Sequence, residues 1–359
     1  MWRADRELRL YLLRIPLCYK ERRFSSIPGE DLNRPMFNST AVARIARIGL
    51  LAMVSCGTMT AFAASKAAWI KLNPTNSPPA LSAVAMTYDP VSKKVVSFGG
   101  YDSSATYHND TWLFDGTTWT QAVTPGAPPV RAAAAITYDQ PSGKLILFGG
   151  YDGHGYFDDT WVWDGTSETW SQASPAHVPT AVTLPMMFMD PVSGRAEMFG
   201  GFDGQFYQNI TWQWNGSDWQ VLHPASSPSA RGASVVANDL AHKTVVIWSG
   251  LGDVNPNNTW TWDGTTWTLQ NPATLPPSTY YSAAAWVPGL NAVVMFGGAN
   301  IGTTTWAWTG SNWVTVPTWY APRNRLSLGM AFDSDSNQLL IFGGENSVIL
   351  NETYKLTKR

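Results

Sequence analysis

Three arginines recur at nearly equal spacing in a chain that uses arginine sparingly. Arg131, Arg231 and Arg325 are three of the five arginines between residue 64 and the last residue. A guanidinium group presents paired donors that match a carboxylate or a phosphate. If the fold brings these side chains together, we expect an anion-binding mouth; the alternative is that each arginine bonds the carbonyl groups of neighbouring loops. Each arginine opens a short apolar stretch, and the same place in the other stretches is assigned to Leu81, Val182 and Tyr281.

A second set of candidates lies in polar loops of variable sequence, such as YDSSATYHND from Tyr101 and YDGHGYFDD from Tyr151. Polar and aromatic loops on a rigid framework are common binding surfaces. We therefore predict that the ligand site also includes Tyr101, Tyr151, His108, His154 and Tyr281.

Acid–base and metal chemistry have weaker candidates. Glu345 follows the last pair of glycines and could act as a general acid or base beside Arg325, the alternative being a surface carboxylate. His108 and His154 have aspartates near them in sequence, but not at the close spacing of a metal motif, so solvated loop histidines fit better. We predict no metal and no cofactor.

Composition narrows the class of function. Aromatic residues make up 13% of the chain and charged residues 14%, which is typical of short strands joined by tight turns. From Ala64 onward, 14 Lys or Arg stand against 21 Asp or Glu, a net charge of −7 without a basic block. Nucleic acid is therefore not an expected partner. The chain also lacks a Gly-x-Ser-x-Gly elbow, a phosphate-binding loop and a zinc motif.

An internal repeat must position these residues. One marker is a Thr-Trp step, which places tryptophan at Trp112, Trp161, Trp212, Trp260 and Trp306, with Tyr354 in the sixth place. A second marker, a pair of glycines after an apolar strand, keeps the same period and follows Phe98, Phe148, Phe199, Phe296 and Phe342. The fourth unit has Trp248-Ser249-Gly250 instead. Two markers in phase indicate six structural repeats.

Each unit is predicted to contain four strands. The third and fourth strands are joined by an Asp-Gly or Asn-Gly turn, which supplies the positive φ angles that a tight hairpin needs. A sheet of this size buries both faces only when it stacks against others around an axis, and indole rings are large enough to fill the interfaces. We predict an all-β, six-bladed β-propeller of four-stranded antiparallel blades.

The sixth unit lacks a fourth strand, and a matching segment stands at the other end of the chain. Trp69 lies 50 residues before Trp119, so we predict that the strand around Trp69 closes the last blade and removes an exposed sheet edge. The expected blades cover approximately residues 79–123, 129–174, 180–223, 229–271, 279–317 and 323–359 plus 66–73.

The paired glycines, the Trp-containing third strand and the closing Trp strand resemble the kelch repeats of six-bladed β-propellers of a bacterial secreted type. This group includes the central domain of galactose oxidase, and the resemblance covers residues 65–359. In kelch domains that bind acidic peptides, arginines at the matching place contact the ligand, so the resemblance implies an anion-binding mouth here. The copper-radical chemistry of galactose oxidase needs a cysteine crosslinked to tyrosine, and no cysteine follows Cys56, which excludes that activity.

Sequence features within the first 63 residues predict that the protein is exported. Residues 36–63 have the features of a secretory signal peptide, with Arg44 and Arg47 before an apolar run and a small-residue site that ends at Ala63. Residues 1–35 are expected to be a non-native upstream extension, the alternative being a long basic region of the signal. A cut before Cys56 would instead give a lipoprotein anchored there. We expect a secreted or periplasmic propeller domain over residues 64–359 without a transmembrane segment.

Two functions remain. The first is a monomeric binding module that holds an anionic small molecule, a glycan or an acidic peptide at the axial mouth. The second is a carbohydrate-active enzyme, similar to kelch-type sugar epimerases or mutarotases, with Glu345 and an arginine as the working groups. We favour the binding module over an enzyme, because the sequence specifies no pair of acid and base.

Overall fold

Short apolar strands and tight turns alternate through residues 67–252 and 257–358, which are the residues described in the computed structural model. The strands form six four-stranded antiparallel sheets, and this part of the chain contains no α-helix. A single 3-10 turn spans Pro288–Leu290. The predicted fold, a six-bladed β-propeller with four-stranded blades, is confirmed.

In each blade, consecutive strands are neighbours. Blade 1 contains β2 (Ala85–Asp89), β3 (Lys94–Phe98), β4 (Thr111–Phe114) and β5 (Trp119–Gln121). Blade 2 contains β6 (Ala135–Asp139), β7 (Lys144–Phe148), β8 (Thr160–Asp164) and β9 (Thr169–Gln172). Blade 3 contains β10 (Met186–Met189), β11 (Ala196–Phe199), β12 (Thr211–Trp214) and β13 (Trp219–Leu222).

The second half of the ring follows the same plan except in its last blade. Blade 4 contains β14 (Val235–Asp239), β15 (Thr244–Trp248), β16 (Thr259–Trp262) and β17 (Trp267–Gln270). Blade 5 contains β18 (Ala283–Val287), β19 (Ala292–Phe296), β20 (Thr305–Trp308) and β21 (Trp313–Val316). Blade 6 contains β22 (Gly329–Asp333), β23 (Gln338–Phe342), β24 (Thr353–Lys358) and the N-terminal β1 (Ala67–Lys71).

The first strand of every blade contacts the first strands of both neighbouring blades, so that these six strands line the axis. The ring is closed by β1, which pairs antiparallel with β24 and places Trp69 opposite Leu356 and Lys71 opposite Tyr354. The predicted closure by the strand around Trp69 is therefore confirmed. The expected upstream extension and signal peptide, residues 1–35 and 36–63, lie outside the described residues.

The closing tryptophan of every blade donates its indole N–H to a threonine of the preceding blade. The Nε1 to Oγ1 distances are 2.8 to 3.0 Å, and all six bonds are buried. The acceptor is always the threonine that opens the third strand. The pairs are Trp69–Thr305, Trp119–Thr353, Trp170–Thr111, Trp219–Thr160, Trp267–Thr211 and Trp313–Thr259. These pairs run once around the ring, so each blade supplies a threonine acceptor to one neighbour and a tryptophan donor to the other. Each unit therefore needs both the Thr-Trp step and the closing tryptophan.

The indole rings fill the blade interfaces, as the repeat suggested, but not all tryptophans do so equally. The closing tryptophans are at most 6% exposed. By contrast, Trp212, Trp260 and Trp306, which were used to align the repeats, are only partly buried. Complete burial of one indole removes about 200 Å² from water, which contributes several kcal/mol at about 25 cal/mol/Å² as an upper estimate.

The tight turns between third and fourth strands have the expected backbone in most blades. Gly116, Gly216, Gly264 and Gly310 have φ between 90° and 106°. In blade 2 the hairpin has two more residues, and the left-handed conformation is adopted by Glu168 instead of Gly165. Turn length therefore decides which residue must adopt a positive φ.

A buried carboxyl group replaces an aliphatic side chain at one blade interface. Glu197 in β11 is fully buried and accepts hydrogen bonds from Trp262 Nε1 (2.7 Å) in blade 4 and from Gln213 Nε2 (2.8 Å). Burial, with the nearby Asp190 charge as the next cause, raises the pKa of Glu197 to about 8. The equivalent positions in the other blades are Val96, Ile146, Val246, Val294 and Leu340.

We expect Thr160→Val to lower the free energy of unfolding by about 1–2 kcal/mol, because Trp219 then has a buried indole N–H without an acceptor. The measurement is urea denaturation with an unchanged m-value. Thr166→Val, at an exposed position in the same blade, is the matched control and should change stability by less than about 0.5 kcal/mol. Equal losses in both variants would contradict the role of this bond.

Glu197→Gln should flatten the pH dependence of stability. Since the folded-state pKa lies above its ordinary value, the wild-type carboxyl is protonated in the fold and ionised when unfolded, so its contribution is present at low pH and is lost as the pH rises toward 8. Relative to wild type, the glutamine variant should gain on the order of a few kcal/mol between pH 5 and pH 8.5. A stability difference that is the same at both pH values would exclude this account.

Candidate functional site

Six residues near the axis form a closed ring of backbone hydrogen bonds, here called the axial belt. Each donates its N–H to the carbonyl oxygen of the equivalent residue in the preceding blade, at 2.8 to 3.2 Å. The members are Ala83, Ala133, Leu184, Ala233, Tyr281 and Ser327. All six have φ between 53° and 58°, a region that residues other than glycine adopt uncommonly. The belt therefore fixes the loops of all blades relative to one another at this end of the propeller.

Arg131 is a buried link within blade 2. Its Nη1 and Nη2 atoms donate to the two carboxylate oxygens of Asp159 at 2.5 and 2.7 Å, and Nη1 also donates to the Gly149 carbonyl at 3.1 Å. The guanidinium carbon lies 3.8 Å from the centre of the Phe157 ring, and the side chain is fully buried. A bidentate pair of this kind fixes both partners in one geometry.

Arg231 and Arg325 repeat this arrangement in blades 4 and 6. Arg231 donates to Asn258 Oδ1 at 2.9 Å, and Arg325 donates to Glu352 Oε2 at 2.9 Å. In both, Nη1 also donates to the carbonyl oxygen of the residue that follows the second strand. All three arginines are 0–1% exposed, and their donors bond loop carbonyls and neighbouring side chains, which favours the alternative of internal links over an anion-binding mouth.

The assignment of Tyr281 to the arginine position is also corrected. The carbonyl oxygen at that position accepts from the second glycine of the preceding blade, as Arg131 does from Gly100. In blade 5 this acceptor is Thr279, which accepts from Gly250. Tyr281 lies two residues further on, in the axial belt, where the other blades have Ala, Leu or Ser.

The sequence contains a signal for the arginine partners in the spacing between each arginine and its partner. The three partners follow their arginines by 27 or 28 residues, immediately before the threonine that opens the third strand. In blade 3 the same two places hold Val182 and Ile210, which line one small cavity. These two places hold an arginine and a polar partner in three blades and two apolar residues in blade 3. Because the two residues change together, the pattern indicates a link inside the blade.

A wall of aromatic side chains lies beside the belt. Tyr101, Tyr151 and Phe202 directly follow the paired glycines of blades 1–3, and each forms a β-bridge to the residue before the belt position of its own blade. Each also bridges to a second tyrosine further along its loop, which is Tyr107, Tyr156 or Tyr207. The ring contacts run without a break from Tyr101 to Tyr107, Tyr151, Tyr156, Phe202 and Tyr207, with centroids 4.9 to 6.2 Å apart.

Glycine is required where Tyr107 and Tyr156 contact the loop of the next blade. A Cβ atom on Gly153 would lie 3.0 Å from the Tyr107 ring, and one on Gly204 would lie 2.5 Å from the Tyr156 ring. Both glycines also have φ near +95°. The Asp-Gly steps of blades 2 and 3 therefore allow the wall to continue from blade to blade.

Glu345 and Tyr281 complete this surface, which we call the tyrosine mouth: Tyr101, Tyr107, Tyr151, Tyr156, Phe202, Tyr207, Tyr281 and Glu345. The Tyr101 hydroxyl donates to Glu345 Oε2 at 2.8 Å, joining blades 1 and 6. Burial raises the pKa of Tyr281, and the nearby Tyr207, Tyr280 and Glu345 raise it further. Burial also raises the pKa values of Tyr107 and Tyr207 to about 12.

The two predicted histidines are placed differently. His108 is partly buried, with Nε2 3.1 Å from Asp102 Oδ2 and Nδ1 3.5 Å from Asp110 Oδ2. His154 is 92% exposed at its side chain. Within the part of the chain that the structure describes, no three His, Cys, Asp or Glu side chains are arranged to hold a metal ion. No helix of that part is long and apolar enough to cross a membrane.

Comparisons with known proteins agree with this architecture. Residues 53–220 match the family model described as the KLHDC2/KLHL20/DRC7 Kelch-repeats domain. The chain is also similar to the solved structure described as "Structure of YjhT", with a TM-score of 0.61 and 15% identity, covering 80% of this chain and 99% of that chain. At this identity the similarity supports the fold alone. The comparison with curated proteins finds no match.

We expect Arg131→Val to destabilise the fold by roughly 3 kcal/mol, because Asp159 loses its buried cationic partner. The double variant Arg131→Val/Asp159→Ile, which copies the apolar pair of blade 3, should recover at least half of that loss. Chemical denaturation of the wild type and both variants makes the comparison. A double variant that is less stable than Arg131→Val would argue against the role of Arg131 as an internal link.

Proposed function

Because this chain is a kelch-repeat six-bladed β-propeller, we propose that it is a binding module that receives a polar organic ligand in the tyrosine mouth. The fold supports a protein-interaction module in general. The observation that carries the proposal is the unbroken series of ring contacts from Tyr101 to Tyr207, placed beside the axial belt and joined to Glu345. Aromatic rings and hydroxyl groups on a rigid frame provide both contact area and specific hydrogen bonds.

Of the ligand classes suggested by the sequence, carbohydrate fits the mouth better than an anion. The three arginines that would attract an anion are buried and bond neighbouring groups. Tyrosine rings can pack against the apolar faces of a sugar, while their hydroxyls and Glu345 can bond its polar groups. The mouth therefore supports a glycan ligand without any contribution from the arginines.

An enzyme that acts on a sugar is the second candidate. The Tyr101 hydroxyl and the Glu345 carboxylate are hydrogen bonded at 2.8 Å, and burial followed by the Glu345 charge raises the pKa of Tyr101. A carboxylate beside a protonated phenol could accept and return a proton at a bound hydroxyl group. Catalysed exchange between sugar anomers, lost in Glu345→Gln, would favour this function over simple binding.

Export remains part of the proposal. It is supported by the basic residues, the apolar run and the small-residue site within residues 36–63, with a lipid anchor at Cys56 as the alternative. An exported propeller would meet free glycans or proteins outside the cytoplasm. We also propose that the module acts as a monomer.

The test is a glycan array followed by NMR titration of the best binders. We expect Tyr151→Leu to weaken binding about 10-fold, because it removes one ring from the mouth. Tyr138→Leu is the matched control, since Tyr138 is at the end of β6 in the same blade and outside the mouth; its affinity should stay within about twofold. Equal affinity in wild type and Tyr151→Leu, for ligands that bind the protein, would show that the ligand site is elsewhere.

A further inference from the structure

The loops that follow the paired glycines have a one-sided charge composition. Across the six loops, which begin at Tyr101, Tyr151, Phe202, Leu251, Ala299 and Glu345, the sequence has nine Asp or Glu and no Lys or Arg. From Ala64 onward the chain has 14 Lys or Arg against 21 Asp or Glu, so the lack of both cations sets these loops apart from the rest of the propeller sequence. The loop end of the propeller therefore has an electrostatic character of its own.

The cations that do lie at this end neutralise only part of that charge. Asp159 is paired with the buried Arg131, and Glu352 with the buried Arg325. The exposed Arg323 lies 3.7 Å from the same Glu352, and Lys71 lies 2.9 Å from it. These four basic side chains are held at Asp159 and Glu352, and the buried Arg231 donates to the neutral Asn258. The three partners precede the third strands of their blades.

Backbone amides fix one aspartate in each of the tyrosine-bearing loops. Asp102, Asp152 and Asp203 each accept two backbone N–H groups at Oδ1, at 2.6 to 3.1 Å. Burial opposes ionisation of Asp102 and Asp152, but hydrogen bonds lower both pKa values. The donors to Asp102 are His108 and backbone amides, and the donors to Asp152 are backbone amides. Carboxylate groups are thus fixed by backbone amides in three successive loops, each of which also carries two rings of the aromatic wall.

The ring faces add to this negative potential. The face of an aromatic ring carries partial negative charge and attracts a cation that lies within about 6 Å of the ring centre. The mouth contains seven such rings, and its carboxylate, Glu345, accepts the hydroxyl of one of them. Aromatic rings combined with a carboxylate are the arrangement that recognises alkylated ammonium groups.

We propose that the tyrosine mouth recognises an organic ammonium group, either the side-chain amine of a partner polypeptide or the amine of a small molecule such as an aminosugar. This inference rests on the proposed function, because it assigns a ligand class to the same site. A cation gains from the rings, from Glu345 and from the loop aspartates together, whereas an anion would be repelled by all of them. A neutral sugar would gain only the packing and the hydrogen bonds.

The test compares three pairs of probes that differ in charge. The pairs are choline with 3,3-dimethyl-1-butanol, Nα-acetyl-lysine methylamide with its Nε-acetylated form, and glucosamine with glucose. Binding at pH 7 is followed by NMR of the protein labelled selectively at tyrosine. We expect the charged member of at least one pair to bind 10-fold or more tightly than its neutral partner and to shift tyrosine signals. The pair that responds identifies the source of the amine.

Two variants test the electrostatic origin of this preference. Glu345→Gln should weaken binding of the charged probe at least fivefold, whereas Glu168→Gln, which removes a partly exposed carboxylate in the β8–β9 turn, should change it less than twofold. Asp152→Asn keeps an oxygen acceptor for the loop amides and removes only the charge, so it should weaken binding two- to fivefold even if Glu345→Gln proves unstable. Thermal unfolding of each variant checks that the fold is intact.

The outcomes separate this inference from the proposed function. Equal binding of charged and neutral partners, with tyrosine signals that still shift, would overturn the ammonium ligand and leave a binding module for neutral sugars. Binding of acidic peptides alone would overturn it in favour of an anion. If neither these probes nor any glycan shifts a tyrosine signal of the mouth, both the ammonium ligand and the proposed function fail.

Discussion

The bond between the closing tryptophan and the threonine of the preceding blade is the constraint on which the propeller depends. It occurs at all six interfaces, in each case between an indole N–H and the first residue of a third strand. Each bond directs a large apolar ring into the gap between two twisted sheets, where burial supplies most of the stabilising free energy. One of the six tryptophans, Trp69, comes from the N-terminal strand, so the ring is complete only when the two ends of the chain pair.

A ring closed in this way frees one end of each blade for variation. The axial belt fixes where the loops begin, through six backbone bonds that do not depend on side-chain identity. Five belt positions hold Ala, Leu or Ser, and the sixth holds Tyr281. A single aromatic residue at a position that otherwise holds Ala, Leu or Ser is the kind of departure from a repeat that accompanies function.

The distribution of charge follows from the same division between framework and mouth. The arginines are part of the framework, because each links a strand start to a glycine-pair carbonyl and to a residue before the third strand. Once they are buried, the loops keep their aspartates and Glu345 without an equal number of cations. The arginines that suggested an anion site are therefore internal, whereas the loops after the glycine pairs contain acidic and aromatic residues.

The sequence by itself determined the number of blades, their four strands and the closure by Trp69, because these follow from local periodicity, turn residues and one missing strand. It also named Tyr101, Tyr151 and Glu345, whose loops follow the glycine pairs. Only the tertiary structure decided that Arg131, Arg231 and Arg325 are buried and that Tyr281 belongs to the axial belt. Their surroundings come from residues 27 or 28 positions away or from other blades. A periodic pattern gives the order of strands, but whether a side chain faces a partner or the solvent depends on distances in three dimensions, which no single repeat contains.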